Sequence, residues 1–422
     1  MKEYKIIFSA FVFFYTMFFK WSTFDPTFMG WINNGLILSF IAINYPIFKK
    51  IFKPEYRTIN LFVLLWGAVV IYSAYQNQNL TYDVPIWNSV TQRFDFNTRN
   101  ATRYDHSYYY VIKILMSVLY FEYLNLHNKA SIFIKYLLIF MTPFVIISDI
   151  NGFIYQSSGI DGYLAGNKFY VCYLNIFLAT IYYLQHPTLE GKSKYKMQFL
   201  LLTTFLLSLK TQCSTMVIGT IVYYYLIFYW SITKRGKLYK AKTFLTGLFI
   251  CDILFFFIVT LLLQIPLIQF IVVDVLGEDL TLTGRIGMYA SLGEVLSECP
   301  FYGFGLGNAS LATTMYMVGD NAQNGFLNLF LEIGFLGVFL FYGILLLMMR
   351  KAKSNKASYS LICFVYTMLI LSSIEITFTT YFFAMSTLLL LRNTSTSSIL
   401  KNSPTNYNKH ENYRNYNCTS IA

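Results

Sequence analysis

Apolar stretches recur along the chain, each closed by a short polar or basic segment. A helix crosses the hydrocarbon core of a bilayer in about 17–25 residues, and these stretches have that length. The pattern predicts helices over 5–20, 31–48, 59–75, 108–126, 131–149, 169–185, 196–211, 214–230, 243–265, 323–349, 357–373 and 375–391. The last two share a minimal connection at Ser372, Ser373, Ile374 and Glu375. The expected fold is all-α: a polytopic integral membrane protein of about 12 transmembrane helices. Residues 1–391 form one transmembrane domain, with a large outer loop, 274–322, between the ninth and tenth helices. The Asn-, Ser- and Tyr-rich tail, 392–422, reads as disordered.

Composition agrees with this pattern. The chain is 56% hydrophobic and 12% charged, whereas a soluble domain carries about 25% charged residues. Mean hydropathy is +0.49. The 36 tyrosines suit the membrane–water interface, where the ring is buried and the hydroxyl stays wet. Lys2 and Lys5 before the first apolar run imitate a signal peptide. No small-residue cleavage site follows, so this run reads as a retained first helix.

Charge fixes the expected orientation. With the N-terminus inside, all but eight of the 32 basic residues fall on the inner side. The exceptions are Lys20, Arg93, Arg99, Arg103, Lys113, Lys168, Lys210 and Arg285. This is the asymmetry of the positive-inside rule, and it places both termini in the cytoplasm. The net charge of +12 is thereby a topology signal and not a nucleic-acid footprint. Segments 76–107, 150–168 and 274–322 then face outward. The last is too long for a passive connector.

Little conventional chemistry is written in the chain. The six cysteines include no CxxC pair, and the four histidines show no ligand spacing. No Walker sequence is present, so no ATPase is built in. The denser signal lies over 281–338. It contains Thr283-Gly284-Arg285, then Pro300-Phe301-Tyr302-Gly303-Phe304-Gly305-Leu306-Gly307, then Asp320, Gln323 and Asn324, then Gly334-Phe335-Leu336-Gly337.

This stretch resembles the O-antigen polymerase and ligase superfamily, the Wzy-type polymerases of O-antigen, capsule and exopolysaccharide. That family carries a Thr-Gly-Arg element, a glycine-rich turn after proline, a His-Asn pair and a Gly-x-x-Gly step in this order. Gln323 stands where the family often has histidine. Gly162 to Asn167 is similar to the family's glycine–asparagine element. Lys210-Thr211-Gln212-Cys213-Ser214 is similar to its Thr-x-Ser-Arg element, with the arginine absent and Lys210 nearby. The resemblance is close over some 60 residues.

The resemblance implies glycosyl transfer at the outer face of the cytoplasmic membrane. Donor and acceptor are oligosaccharides linked to undecaprenyl diphosphate. No nucleotide or other cofactor is consumed. A chain-length regulator and a flippase are the implied protein partners. A departing diphosphate needs positive charge, and Arg285 is the first candidate, since guanidinium grips phosphate through two N–H groups. Lys168 and Lys210 are further candidates, against a plain interfacial role. A base for the acceptor hydroxyl is sought among Asp320, Glu375, Glu294 and Glu298, because Gln323 orients a hydroxyl but takes no proton. Glu294 and Glu298 share one helical face. Asn324 either orients a hydroxyl or caps a helix. Asn167 enters with the glycine–asparagine element, and Tyr289 either stacks on sugar or anchors at the interface. A ligase of the same superfamily shares this donor chemistry. A lipid-linked oligosaccharide flippase is the rival from another class, although no half-repeat of the transporter kind is evident.

Overall fold

The structure, a computed structural model, describes residues 2–20, 22, 24–48, 57–88, 93–101, 104–155, 161–230, 235–255, 264–270, 273–274, 292–316, 322–353 and 356–392. It is dominated by helices. The first half holds α1 (Glu3–Met17), α2 (Pro26–Phe48), α3 (Arg57–Gln76), α4 (Tyr104–Leu126), α5 (Ala130–Ile154) and α6 (Lys168–Gln185). Then come α7 (Lys192–Lys210), α8 (Ser214–Tyr225), α9 (Arg235–Leu238), α10 (Ala241–Leu248) and α11 (Pro266–Phe270). The last part holds α12 (Leu292–Glu298), α13 (Ala309–Tyr316), α14 (Gly325–Ala352), α15 (Tyr359–Leu371) and α16 (Thr380–Thr387).

Long apolar runs become helices because a helix satisfies its own backbone polar groups. Among the described residues, α3, α5 and α14 are each long and apolar enough to cross a membrane, and shorter apolar helices pack beside them. Large apolar side chains also stand on the outside of the bundle. Trp31 is 74% exposed, Phe199 68% and Phe339 64%. Scattered exposed apolar residues are ordinary, but their concentration on helices this apolar is what lipid would cover.

Two departures from the sequence expectation stand out. Segment 76–107 holds an antiparallel ribbon, β1 (Thr81–Asn88) with β2 (Arg93–Asn100), in the register Thr81↔Asn100 to Asn88↔Arg93. A second, smaller ribbon pairs β3 (Asp161–Tyr163) with β4 (Gly166–Asn167). The final helix also begins at Thr380 and not at 375. Residues 372–379 are held irregular by bonds to other elements: Thr377 Oγ1 donates to Met368 O at 2.9 Å and Gly325 N to Ser372 O at 2.7 Å. The tail beyond 392 lies outside the described residues.

Helices α4, α14 and α16 run in the same direction, so their C-terminal ends gather at one end of the bundle. At that end Lys351 of α14 meets Glu122 of α4 at 2.7 Å, and Asn125 Oδ1 accepts the N–H of Arg392 at 2.7 Å. The other end carries both ribbons and a small separate core. There Val295, Phe304, Ala309, Ala312, Ala322, Leu327 and Leu331 cluster, with Leu80 and Cys299 packed against them. Residues 292–316 therefore fold down onto the start of α14.

Candidate functional site

Gly334 interrupts α14 with φ 64° and ψ −174°. A break of this kind strands carbonyl groups before it and N–H groups after it. Within lipid, such groups need partners from the protein. The glycine-rich turn supplies them. Phe304 N–H donates to Leu331 O at 2.7 Å and Gly305 N–H to Glu332 O at 2.9 Å, while Leu336 N–H donates to Phe301 O at 3.4 Å. The end of α3 closes the joint: Ser73 Oγ and Asn77 Nδ2 donate to Gly303 O at 3.1 and 3.0 Å.

The turn needs its glycines for two reasons. Gly303, Gly305 and Gly307 have φ of 79°, 99° and 84°, in the left-handed region that side chains disfavour. A Cβ on Gly303 would also stand 2.5 Å from the Gly334 nitrogen. The Pro300–Gly307 turn and the Gly334–Gly337 step are thus two halves of one joint. The sequence pattern suggests close helix packing for Gly334; the structure uses it to break the helix.

Beside the joint lies a cavity of about 360 Å³. Trp66 of α3 and Tyr110 of α4 form one wall, with ring centroids 5.6 Å apart in an edge-on arrangement. Asn328 and Glu332 of α14 line it, as do Gly307 and Ser310 after the turn. Phe378, Thr379 and Thr380 complete it from the start of α16. Gly307 and Asn328 stand beside the Glu332 carboxylate. Aromatic walls with a few convergent polar groups are the usual make-up of a small-molecule site.

The sequence candidates distribute unevenly around this cavity. Arg285, Asp320 and Tyr289 lie outside the described residues. Asn324 is buried at the start of α14, where its Oδ1 accepts the Leu327 N–H at 2.8 Å. Gln323, just before it, has φ 43°. Glu375 sits in the 372–379 loop, with Oε1 accepting the Ile376 N–H at 3.0 Å. These three stand on elements that build the cavity but are not in its lining. Glu294 and Glu298 are exposed on α12. Asn167 caps α6 by accepting the Tyr170 N–H at 2.9 Å. Lys168 donates to Gln212 O at 2.9 Å and so bridges to the α7–α8 turn, close to the exposed Lys210. Tyr170 stacks on Tyr381 at 4.3 Å, linking this region to the start of α16.

Sequence reasoning passed over three carboxylates in apolar helices. Glu332 lines the cavity. Asp252 is wholly buried and accepts from Ser372 Oγ. Asp149 accepts from Asn175 Nδ2 at 2.6 Å. The available signal was their position: a carboxylate in an apolar run is expensive, and such residues mark function or a specific partner.

Cys299, beside the turn, gives a direct check on this packing. Burial pushes its thiol up to about 12. Thiolate is the reactive form, so Cys299 in the folded protein is expected to alkylate at pH 8 more than about tenfold slower than after denaturation. Peptide mass spectrometry of maleimide-treated protein reads this. Equal rates in both states would mean that the turn does not pack as described.

The chain matches no known family model, no curated protein and no solved structure.

Proposed function

We propose that this chain is a membrane-embedded glycosyltransferase that joins undecaprenyl-diphosphate-linked oligosaccharide repeat units at the outer face of the cytoplasmic membrane. It is a polysaccharide polymerase of about 12 spans, with both termini in the cytoplasm and the end bearing the ribbons outside. One observation carries this reading. The two stretches behind the family resemblance, Pro300–Gly307 and Asn324–Gly337, are joined in space beside a cavity lined by aromatic and hydrogen-bonding groups. A carbohydrate presents the complementary surfaces, apolar C–H faces and hydroxyl edges. Arg285 is the proposed diphosphate contact, with Lys168 and Lys210 adding positive charge. Gln323, Glu375 and Asp320 border the acceptor path in this proposal.

The test is deletion of the gene in its host, complemented by wild type or by Arg285→Ala, with surface and lipid-linked glycans resolved by size. The expected result is single units accumulating outside the membrane on deletion. Wild type then restores long chains, and Arg285→Ala reaches the membrane but leaves them absent. Long chains that stay on the carrier would make the protein a ligase. Single units confined to the inner face would make it a flippase, and the polymerase proposal would fall.

A further inference from the structure

The glycosyl-transfer proposal leaves one chemical role unfilled. An acceptor hydroxyl that attacks an anomeric carbon has to lose its proton, and Gln323 cannot take one. The structure narrows the search by geometry. Glu294 and Glu298 are exposed on α12. Glu375 turns to the backbone of Ile376. Asp252 is closed off against Ser372, and Asp149 pairs with Asn175. Among the described residues, Glu332 is the acid that lines the cavity.

Its surroundings suit the task. Gly307 and Asn328 stand beside the carboxylate. The helix break holds the backbone of this same residue, because Glu332 O accepts from Gly305 N–H at 2.9 Å. Trp66, Tyr110 and Phe378 line the same cavity. The Trp66 indole N–H is buried with no hydrogen-bond partner among the described residues. Tyr110 is the titratable group that faces Glu332 from a neighbouring element.

We propose that this cavity seats the acceptor sugar and that the Glu332 carboxylate accepts the proton of its attacking hydroxyl. This rests on the glycosyl-transfer proposal above. The acceptor oxygen forms a bond to the anomeric carbon of the donor sugar. The bond from that carbon to the diphosphate oxygen breaks, and its electron pair leaves with the diphosphate. The hydroxyl proton passes to Glu332, which returns it to solvent before the next cycle.

The experiment uses membranes holding the full chain and lipid-linked single repeat units extracted from the deletion strain. Elongation rate is measured against acceptor concentration and pH for wild type, Glu332→Gln and Glu332→Asp. Glu332→Gln keeps the size and polarity of the side chain but takes no proton. It is expected to slow elongation about 100-fold or more, with the acceptor KM little changed. Glu332→Asp is expected to retain part of the rate and to move the acidic limb of the pH profile. A Glu332→Gln protein that elongates at near the wild-type rate would overturn the inference. If that variant fails to reach the membrane, the acidic limb decides. A limb displaced in Glu332→Asp upholds the role, and an identical limb in both proteins refutes it. Wild-type membranes that do not elongate the units at all would instead refute the polymerase proposal, and this inference with it.

Discussion

Gly334→Ala is expected to be among the most destabilising single-methyl changes available to this chain. The φ and ψ of Gly334, 64° and −174°, lie in a region essentially reserved for glycine, and forcing another residue there costs about 1–3 kcal/mol. The new Cβ would also fall 2.5 Å from the carbonyl carbon of Tyr302, so the glycine turn has to move away. Moving it breaks the bonds from Phe304 N–H to Leu331 O and from Gly305 N–H to Glu332 O. Each such bond contributes about 0.5–1.5 kcal/mol, and a stranded buried group costs more. The total is at least about 3 kcal/mol, enough to unfold a marginal protein. Gel filtration of detergent-extracted protein after graded heating measures this. Gly30→Ala is the control, because nothing lies within 4 Å of its new Cβ, and its midpoint is expected to hold or rise slightly. A Gly334→Ala protein as heat-stable as wild type would show that the helix break is not a fixed feature. Gly303→Ala attacks the same joint from the other side, so the double variant is expected to lose much less than the sum of the two.

This joint shows what the sequence makes legible. Helices follow directly from uninterrupted apolar runs, so the bounds 59–75, 131–149 and 169–185 fall within five residues of those of α3, α5 and α6. The glycines of the Pro300–Gly307 turn stand out as a motif. Their partner does not, because Gly334 in an apolar run has the same appearance whether it packs a neighbour or breaks the helix. Only the stranded carbonyls of Leu331 and Glu332, and what reaches them, separate the two cases.

The ribbon at 81–88 was partly legible. Tyr82, Val84 and Ile86 alternate with other residues, the period of a strand. Asp83 and Pro85, on the other face of that alternation, are poor strand formers and favour a loop instead. The cavity was not legible at all. Trp66, Tyr110, Glu332 and Phe378 come from four separate elements, and no local spacing brings them together. Glu332 did carry a signal as the sole acid of α14. Without its neighbours that signal names a cost and not a role.

Asn324 brings both kinds of evidence to one residue, and its replacement separates a cap from a substrate contact. Sequence leaves the two roles equal. In the structure its side chain is buried and used at both ends: Oδ1 accepts the Leu327 N–H at 2.8 Å and Nδ2 donates to Ser373 O at 3.3 Å. The next residue repeats the tie, Gly325 N–H to Ser372 O at 2.7 Å. One side chain thus starts α14 and holds the loop that carries Glu375 and Phe378 toward the cavity. Asn324→Ala removes the cap on the Leu327 N–H, costing about 1–2 kcal/mol, and strands the buried Ser373 carbonyl at about 1–3 kcal/mol. A loss of about 2–5 kcal/mol is expected, read as a lowered midpoint in the same heating assay. Asn324→Ser keeps the cap and loses only the bridge to Ser373, so it is expected to fall between the alanine variant and wild type. Asn324→Asp keeps the acceptor but turns an oxygen onto the Ser373 carbonyl, and is expected to be less stable than the serine variant near neutral pH. A structural residue orders the three by stability, with elongation following that order. If Asn324→Ser instead keeps its midpoint and loses elongation, the side chain leaves its cap to hold the sugar.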